Sequence, residues 1–271
     1  METMTVVIPE SLTKELTDLR LKHFEKAAAA DLAELDPAGR EKCLTMLRRW
    51  VRVELAERKT AAIENRIRNA KFVRVQSVDQ FNFDHSPMTK KLRSNYLTLF
   101  DSIDDGVDDL PSAVFIGLGG RGKTHLARAL GYRACQLNLS VLFVNAAEMV
   151  NGLEQAKKAQ YLDSEFRKYR KPQVLIVDEL GYVTMDAPAS NLFFQVISAR
   201  HDQGLGTIVT TNLAFGKWNQ IFANDAVAHV IVHRLTAEAE VFFMEGDSYR
   251  PVEREIRRSR RRDKAKAKAK S

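Results

Sequence analysis

Ala113-Val114-Phe115-Ile116-Gly117-Leu118-Gly119-Gly120-Arg121-Gly122-Lys123-Thr124-His125-Leu126-Ala127-Arg128 is the stretch that decides the fold. A short apolar run leads into a glycine-rich turn, and the turn opens a helical pattern. The turn matches G-x-x-x-x-G-K-[ST], and strand before and helix after are the context such a motif needs. Glycines let backbone N–H groups curl around phosphate oxygens without a Cβ in the way. The helix N-terminus adds partial positive charge. Lys123 places a cation on the β- and γ-phosphates, and the Thr124 hydroxyl ligates Mg²⁺. Gly117, Gly119, Gly120, Arg121, Gly122, Lys123, Thr124 and His125 are therefore the expected nucleotide-binding set.

Outward from this loop, short β-branched runs alternate with longer helical patterns. Strands are expected at Ala113–Ile116, Val141–Val144, Val174–Val177, Thr207–Thr211 and Glu240–Met244. Helices are expected at Lys123–Leu137, Ala147–Tyr169 and Ala189–Asp202, with two short ones before the last strand. That alternation predicts an α/β fold with a mostly parallel sheet. Val174-Leu175-Ile176-Val177-Asp178-Glu179 delivers two adjacent carboxylates to a strand end. Asp178 is expected to hold Mg²⁺, and Glu179 to polarise an attacking water. Thr211-Asn212 ends the fourth strand and can set an amide beside the terminal phosphate and that water.

The first 75 residues read as helical. One helix is expected over about Pro9–Leu35, broken by Asp36-Pro37-Ala38-Gly39, and a long one over Glu41–Ala70, where Leu44, Leu47, Val51 and Leu55 form one apolar stripe. Three regions follow: a helical N-terminal domain over 1–75, a nucleotide-binding domain over 76–250, and a basic tail over 251–271, disordered when free.

The 271 residues are 45% hydrophobic and 28% charged, as in ordinary globular proteins. No apolar stretch is long enough to span a bilayer, and the N-terminus lacks a signal-peptide pattern. Two cysteines, Cys43 and Cys135, exclude a disulfide scaffold and fit a reducing, cytoplasmic setting. The net charge of +7 is concentrated: residues 251–271 carry ten Lys/Arg against three Asp/Glu, and Arg40–Arg74 carry eleven against four. Acidic balance lies elsewhere, including Asp101, Asp104, Asp105, Asp108 and Asp109. Two basic zones on a neutral body point to a polyanionic partner. Its backbone would be met by Arg48, Arg49, Arg52, Arg58, Arg66, Arg68 and Arg74, by the tail, or by Lys157, Lys158, Arg167 and Lys168. No recognition-helix, zinc-finger or stacking-platform signature is visible, so binding should be largely sequence-independent and salt-sensitive.

The spacing of the loop, Asp178-Glu179 and Thr211-Asn212 resembles the AAA+ ATPases. Gly122-Lys123-Thr124-His125-Leu126-Ala127, Ile176-Val177-Asp178-Glu179-Leu180-Gly181-Tyr182, Thr211-Asn212-Leu213-Ala214-Phe215-Gly216-Lys217-Trp218, His233-Arg234-Leu235 and Gly246-Asp247-Ser248-Tyr249-Arg250 resemble the IstB/DnaC-like branch, and within it the IstB-type transposition helpers. The resemblance covers about Leu44 to Arg250. It implies an AAA+ P-loop ATPase that hydrolyses ATP with Mg²⁺ and assembles as a homo-oligomeric ring or spiral on duplex DNA. It also implies that the assembly recruits a transposase. The alternative is a DnaC-like helicase loader. Resemblance further implies that Arg234 is an arginine finger for a neighbouring subunit's site, that Asn212 is the sensor, and that Glu179, Lys123, Arg234 and Asn212 form the catalytic set. Arg250 is placed either on phosphate or at the last strand's cap. His233 stands where the family carries Asp, which removes the local carboxylate expected beside Arg234. Arg121 is expected to point into solvent, and Phe81 and Phe83 are candidates for adenine contact. No N-K-x-D signature for guanine occurs.

Overall fold

The computed structural model describes residues 8–85, 87–103, 110–252, 254, 255 and 258. Most of the basic tail and the acidic positions Asp104, Asp105, Asp108 and Asp109 lie outside the described residues. The chain divides into two compact units, Met1–Asn65 and Arg66–Ser271.

The smaller unit is built from α1 (Glu10–Asp18), α2 (Lys22–Ala33) and most of α3 (Pro37–Asn69). The single helix expected over Pro9–Leu35 is two helices. Arg20 takes a left-handed φ of 61°, and the backbone N–H of Leu21 closes back onto Leu16 O, which ends α1 without a glycine. Asp36-Pro37-Ala38-Gly39 is both a stop and a start. Asp36 Oδ1 accepts the Gly39 N–H at 2.9 Å and Pro37 opens α3, where a missing N–H costs nothing. Leu12, Leu16, Leu19, Leu32, Leu47 and Val51 close this unit's core.

The larger unit carries a five-stranded sheet. Its elements are α4 (Pro87–Ser102), β1 (Ala113–Ile116), α5 (Lys123–Gln136), β2 (Val141–Asn145), α6 (Ala146–Lys158), α7 (Leu162–Arg170), β3 (Val174–Asp178), α8 (Ala187–Asp202), β4 (Gly206–Thr211), α9 (Asp225–Thr236) and β5 (Glu240–Phe243). All strand pairs are parallel, in the order β2-β3-β4-β1-β5. The helix expected over Ala147–Tyr169 is interrupted at Gln160, whose φ is 60°. Of the two short helices expected before β5, the first is a 3-10 turn at Phe215–Gln220 and the second is α9.

Both sheet faces are covered, so the strands read as apolar runs rather than alternations. Val114 and Ile116 of β1 face one core with α6, α7, α8, α9 and Trp218. Ala113 and Phe115 face the other, with α4 and α5. Burying such a side chain stabilises by roughly 1.5–3 kcal/mol. At the sheet's N-terminal end, the fully buried Arg200 donates to the carbonyls of Tyr169, Pro172, Gln173 and Gly206 and to Thr207 Oγ1. It ties the chain entering β3 to the chain entering β4. The opposite end, where the order of connections reverses beside β1, is the place where open parallel sheets bind ligands.

Candidate nucleotide site

The glycine-rich loop leaves β1 and enters α5 through two left-handed glycines, Gly120 at φ 80° and Gly122 at φ 86°. A Cβ at Gly120 would collide with Ser248, and one at Gly122 with the ring of Phe81. Glycine is thus required twice over, for its φ and for the close approach. The loop is braced from behind. Gly117 N–H donates to Thr211 O at 3.1 Å, and Tyr249 N–H donates to Gly120 O at 2.9 Å. Arg121 does not point into solvent. Its Nη1 donates to Met244 O at 3.0 Å, binding the loop to the end of β5. His125 turns its ring to Ser77 O, at 2.9 Å, and to the edge of Phe81. Phe81 therefore packs beneath the loop, and Phe83 is buried against Tyr96.

Lys123 Nζ donates to Leu118 O at 2.9 Å, across its own loop. Burial lowers its pKa, Asp178 raises it, and Arg121 and Arg250 lower it. Three cations, Lys123, Arg121 and Arg250, gather at the loop, an arrangement that polyphosphate relieves. Thr124 Oγ1 donates to Asp178 Oδ1 at 2.8 Å, so two hard oxygen donors from β1's loop and β3 already meet. That pair fits Mg²⁺, which takes few protein ligands and completes its shell with phosphate and water. Among the described residues no cluster of three or more His, Cys, Asp or Glu forms a dedicated metal cage.

Asp178 is buried, while Glu179 is exposed. Thr210 bridges them: its hydroxyl donates to Asp178 Oδ1 at 2.6 Å and accepts the Glu179 N–H at 2.9 Å. Glu179 takes a φ of 63°, a sparsely populated conformation for a residue with a side chain, of the kind proteins retain at functional sites. Its Oε2 accepts from Asn145 Nδ2 at 3.0 Å. Asn145 caps α6 with the other end of its amide, accepting Ala147 N–H at 2.9 Å, so helix and carboxylate share one anchor. In register, Asn145 lies beside Asp178.

Asn212 follows β4 with a buried Oδ1 that has no hydrogen-bond partner. Any side chain at Gly181 would strike this amide, which explains the glycine in Leu180-Gly181-Tyr182. A buried acceptor without a partner is costly. Sequence reasoning passed over Asn145, Thr210 and Arg128. The available signal was a polar residue ending an apolar strand on the same edge as Asp178-Glu179.

Arg234 lies elsewhere. It sits in α9 at the other end of the sheet, near Ser112, Leu205 and Thr207, with Nη1 2.6 Å from Asp202 Oδ1 and its guanidinium over Phe194. The carboxylate that His233 fails to supply comes from α8 instead. Arg250 lies beside Gly120, within electrostatic reach of Lys123.

The sequence profile of the IstB-like ATP binding protein family matches residues 14–257. This chain belongs to that family. Among its relatives is an IS5376 insertion-sequence protein of Geobacillus stearothermophilus, named for ATP binding, 31% identical over 79% of this chain and 84% of its own. An IS232 insertion-sequence protein of Bacillus thuringiensis subsp. berliner, also named for ATP binding, is 29% identical over 89% of this chain and 94% of its own. Solved structures with a similar fold include a DnaC helicase loader, with a TM-score of 0.54 at 17% identity over 62% of this chain and 96% of that one. DnaI gives 0.52 at 19% identity over 64% and 89%. DnaA from Aquifex aeolicus bound to AMPPCP gives 0.52 at 16% identity over 64% and 50%. The fold is that of the AAA+ ATPases, and this IstB-like protein is an ATPase. No described helix is long and apolar enough to cross a membrane.

Proposed function

We propose that this IstB-like ATPase is a transposition helper that assembles on duplex DNA with ATP at its subunit interfaces and recruits a transposase. The observation that carries the reading is the position of Arg234. It stands a strand length from the phosphate loop, on the order of 13 Å for a four-residue strand, and at the wrong end of the sheet to serve its own site. A guanidinium there is out of reach of its own loop, which supports service at a site on another copy, where it would offset charge in the phosphoryl-transfer transition state. ATP binding then favours the assembled form, because a ligand populates whichever state it binds better.

Within the site, Lys123 and the loop N–H groups hold the phosphates. Thr124 and Asp178 would hold Mg²⁺, which would supply charge neutralisation at the phosphates. Glu179, fixed by Asn145 and Thr210, orients the attacking water and accepts its proton. Asn212 offers its amide to the terminal phosphate or that water. Insertion-sequence relatives favour the transposition reading; the DnaC-like fold alone would equally fit a helicase loader.

For DNA, the exposed cations Arg49 and Arg68 of α3, Lys157 and Lys158 of α6 and Arg167 of α7 are the best placed. Arg52, which pairs with Glu15 at 3.6 Å, Arg58 and Lys168 are less so. Arg58 is bonded to Glu54 and Leu19 O, and Lys168 to Glu165 and Tyr169. Electron microscopy with duplex DNA tests the proposal. Rings or filaments with ATP, absent with ADP and absent in Arg234→Ala, support it, and identical monomers in all three remove it. Capture of a transposase rather than a replicative helicase separates the two readings.

A further inference from the structure

Arg128 lies one helical turn beyond Thr124, in a stretch that the sequence marks only as helix. Its side chain is 15% exposed. Three contacts fix it. The guanidinium lies 4.6 Å from the Phe143 ring centroid. Nη1 donates to Gln76 Oε1 at 3.3 Å, and Nη2 stands 3.9 Å from Asp178 Oδ2. It lines a cavity of about 420 Å³ shared with Asn145, Asp178 and Glu179.

The two oxygens of Asp178 therefore face different partners. Oδ1 accepts from Thr124 and Thr210. Oδ2 faces Arg128 at 3.9 Å, the long end of ion-pair range. A carboxylate's terminal torsion is broad and its two oxygens are equivalent, so what has to be fixed is the tilt of the carboxylate plane. Two hydroxyls on one oxygen and a guanidinium facing the other fix that plane from both sides. Burial lowers the Arg128 pKa while Asp178 raises it, and in such surroundings charge–charge interactions are strong. Lysine would not serve equally, because only a planar fork can stack on Phe143 while reaching Gln76 and Asp178 with separate N–H groups.

We propose that Arg128 is a positioning residue that holds the tilt of the Asp178 carboxylate plane, with one oxygen kept on Thr124, presetting the metal-side carboxylate before ATP and Mg²⁺ arrive. The proposal rests on Asp178 serving the metal. It has an electrostatic counterpart of opposite sign. A cation that merely sat near the metal would repel it, and its removal would tighten Mg²⁺. A positioning cation weakens Mg²⁺ when removed.

The test is equilibrium binding of a fluorescent ATP analogue, titrated with Mg²⁺, to the full chain and to Arg128→Met, Arg128→Lys and Gln76→Ala. In Arg128→Met, metal-free affinity should stay within about twofold, while the half-saturating Mg²⁺ concentration should rise by about tenfold, as for loss of an outer partner of a metal ligand. Arg128→Lys should recover part of that loss. Gln76→Ala, which leaves the interior packing intact and guards against a misfolded Arg128→Met, should raise the Mg²⁺ requirement about threefold. Unchanged or tighter Mg²⁺ dependence in the folded variants overturns the proposal and leaves the metal reading standing. A wild-type chain whose nucleotide binding ignores Mg²⁺ removes both.

Discussion

The two ends of the sheet treat buried polar groups in opposite ways. At the N-terminal end, Arg200 is fully buried and spends its N–H groups on four carbonyls and a hydroxyl. At the C-terminal end, Asn212 keeps a buried oxygen without a partner, Glu179 holds a left-handed backbone, and Lys123 rests on its own loop. The Arg200 arrangement completes itself and serves the fold. The other leaves an unpaired acceptor and a left-handed carboxylate residue at the strand ends where the phosphate loop lies.

The sharpest way to test that contrast is Glu179→Gln, at the unfinished end. It should lower ATP turnover by about 10³-fold, within the range for a lost general base, while nucleotide binding and melting temperature stay near wild type. Steady-state hydrolysis beside a binding titration reads both. At the finished end, Arg200→Met should leave the chemistry of folded molecules intact but cost about 3 kcal/mol of stability, because several buried carbonyls lose their donor. Denaturant unfolding measures it; an Arg200→Met protein as stable as wild type would break the contrast.

Asn145→Ala sits between these cases. It removes both a helix cap and the anchor of Glu179, so turnover should fall on the order of tenfold, since a misplaced base keeps its proton-accepting chemistry. The accompanying loss of stability should be about 1 kcal/mol. The smallest effect concerns the cysteines. Cys135 is buried and its thiol is pushed up to about 12 by burial, whereas Cys43 is exposed. A thiol reagent at pH 8 should label Cys43 alone until the protein is unfolded, as mass spectrometry would show. The raised pKa also means that the folded state binds the Cys135 proton more tightly than the unfolded one. Its contribution to stability is therefore full below pH 9 and lost as pH rises toward 12.

Much of this was legible in the residues. Lys123, Thr124, Asp178 and Glu179 announce themselves because phosphate and metal chemistry demand those types at those strand ends, and apolar runs located all five strands. Two breaks were hidden. Arg20 and Gln160 adopt left-handed turns without glycine or proline, so no residue type marked them, and each is closed by a backbone bond from the next residue, Leu21 to Leu16 O and Tyr161 to Ala156 O. The supporting cast was hidden for another reason. Asn145 and Thr210 reach Asp178 and Glu179 because parallel pairing brings β2, β3 and β4 together, and Arg128 reaches Asp178 because α5 packs on that sheet. Arg234 misled in its partner. The sequence shows His233 beside it, but the carboxylate arrives from Asp202, 32 positions earlier.

The contact between the Lys123 ammonium and the Leu118 carbonyl has a kinetic reading. A lysine that donates to a carbonyl of its own loop ties the two sides of the cradle together. An arriving ligand must exchange that single neutral acceptor for charged oxygens, and only one carrying a chain of phosphates offers enough of them. Adenosine and its monophosphate should therefore leave the clasp shut, and the protein should ignore the most spent forms of its own fuel.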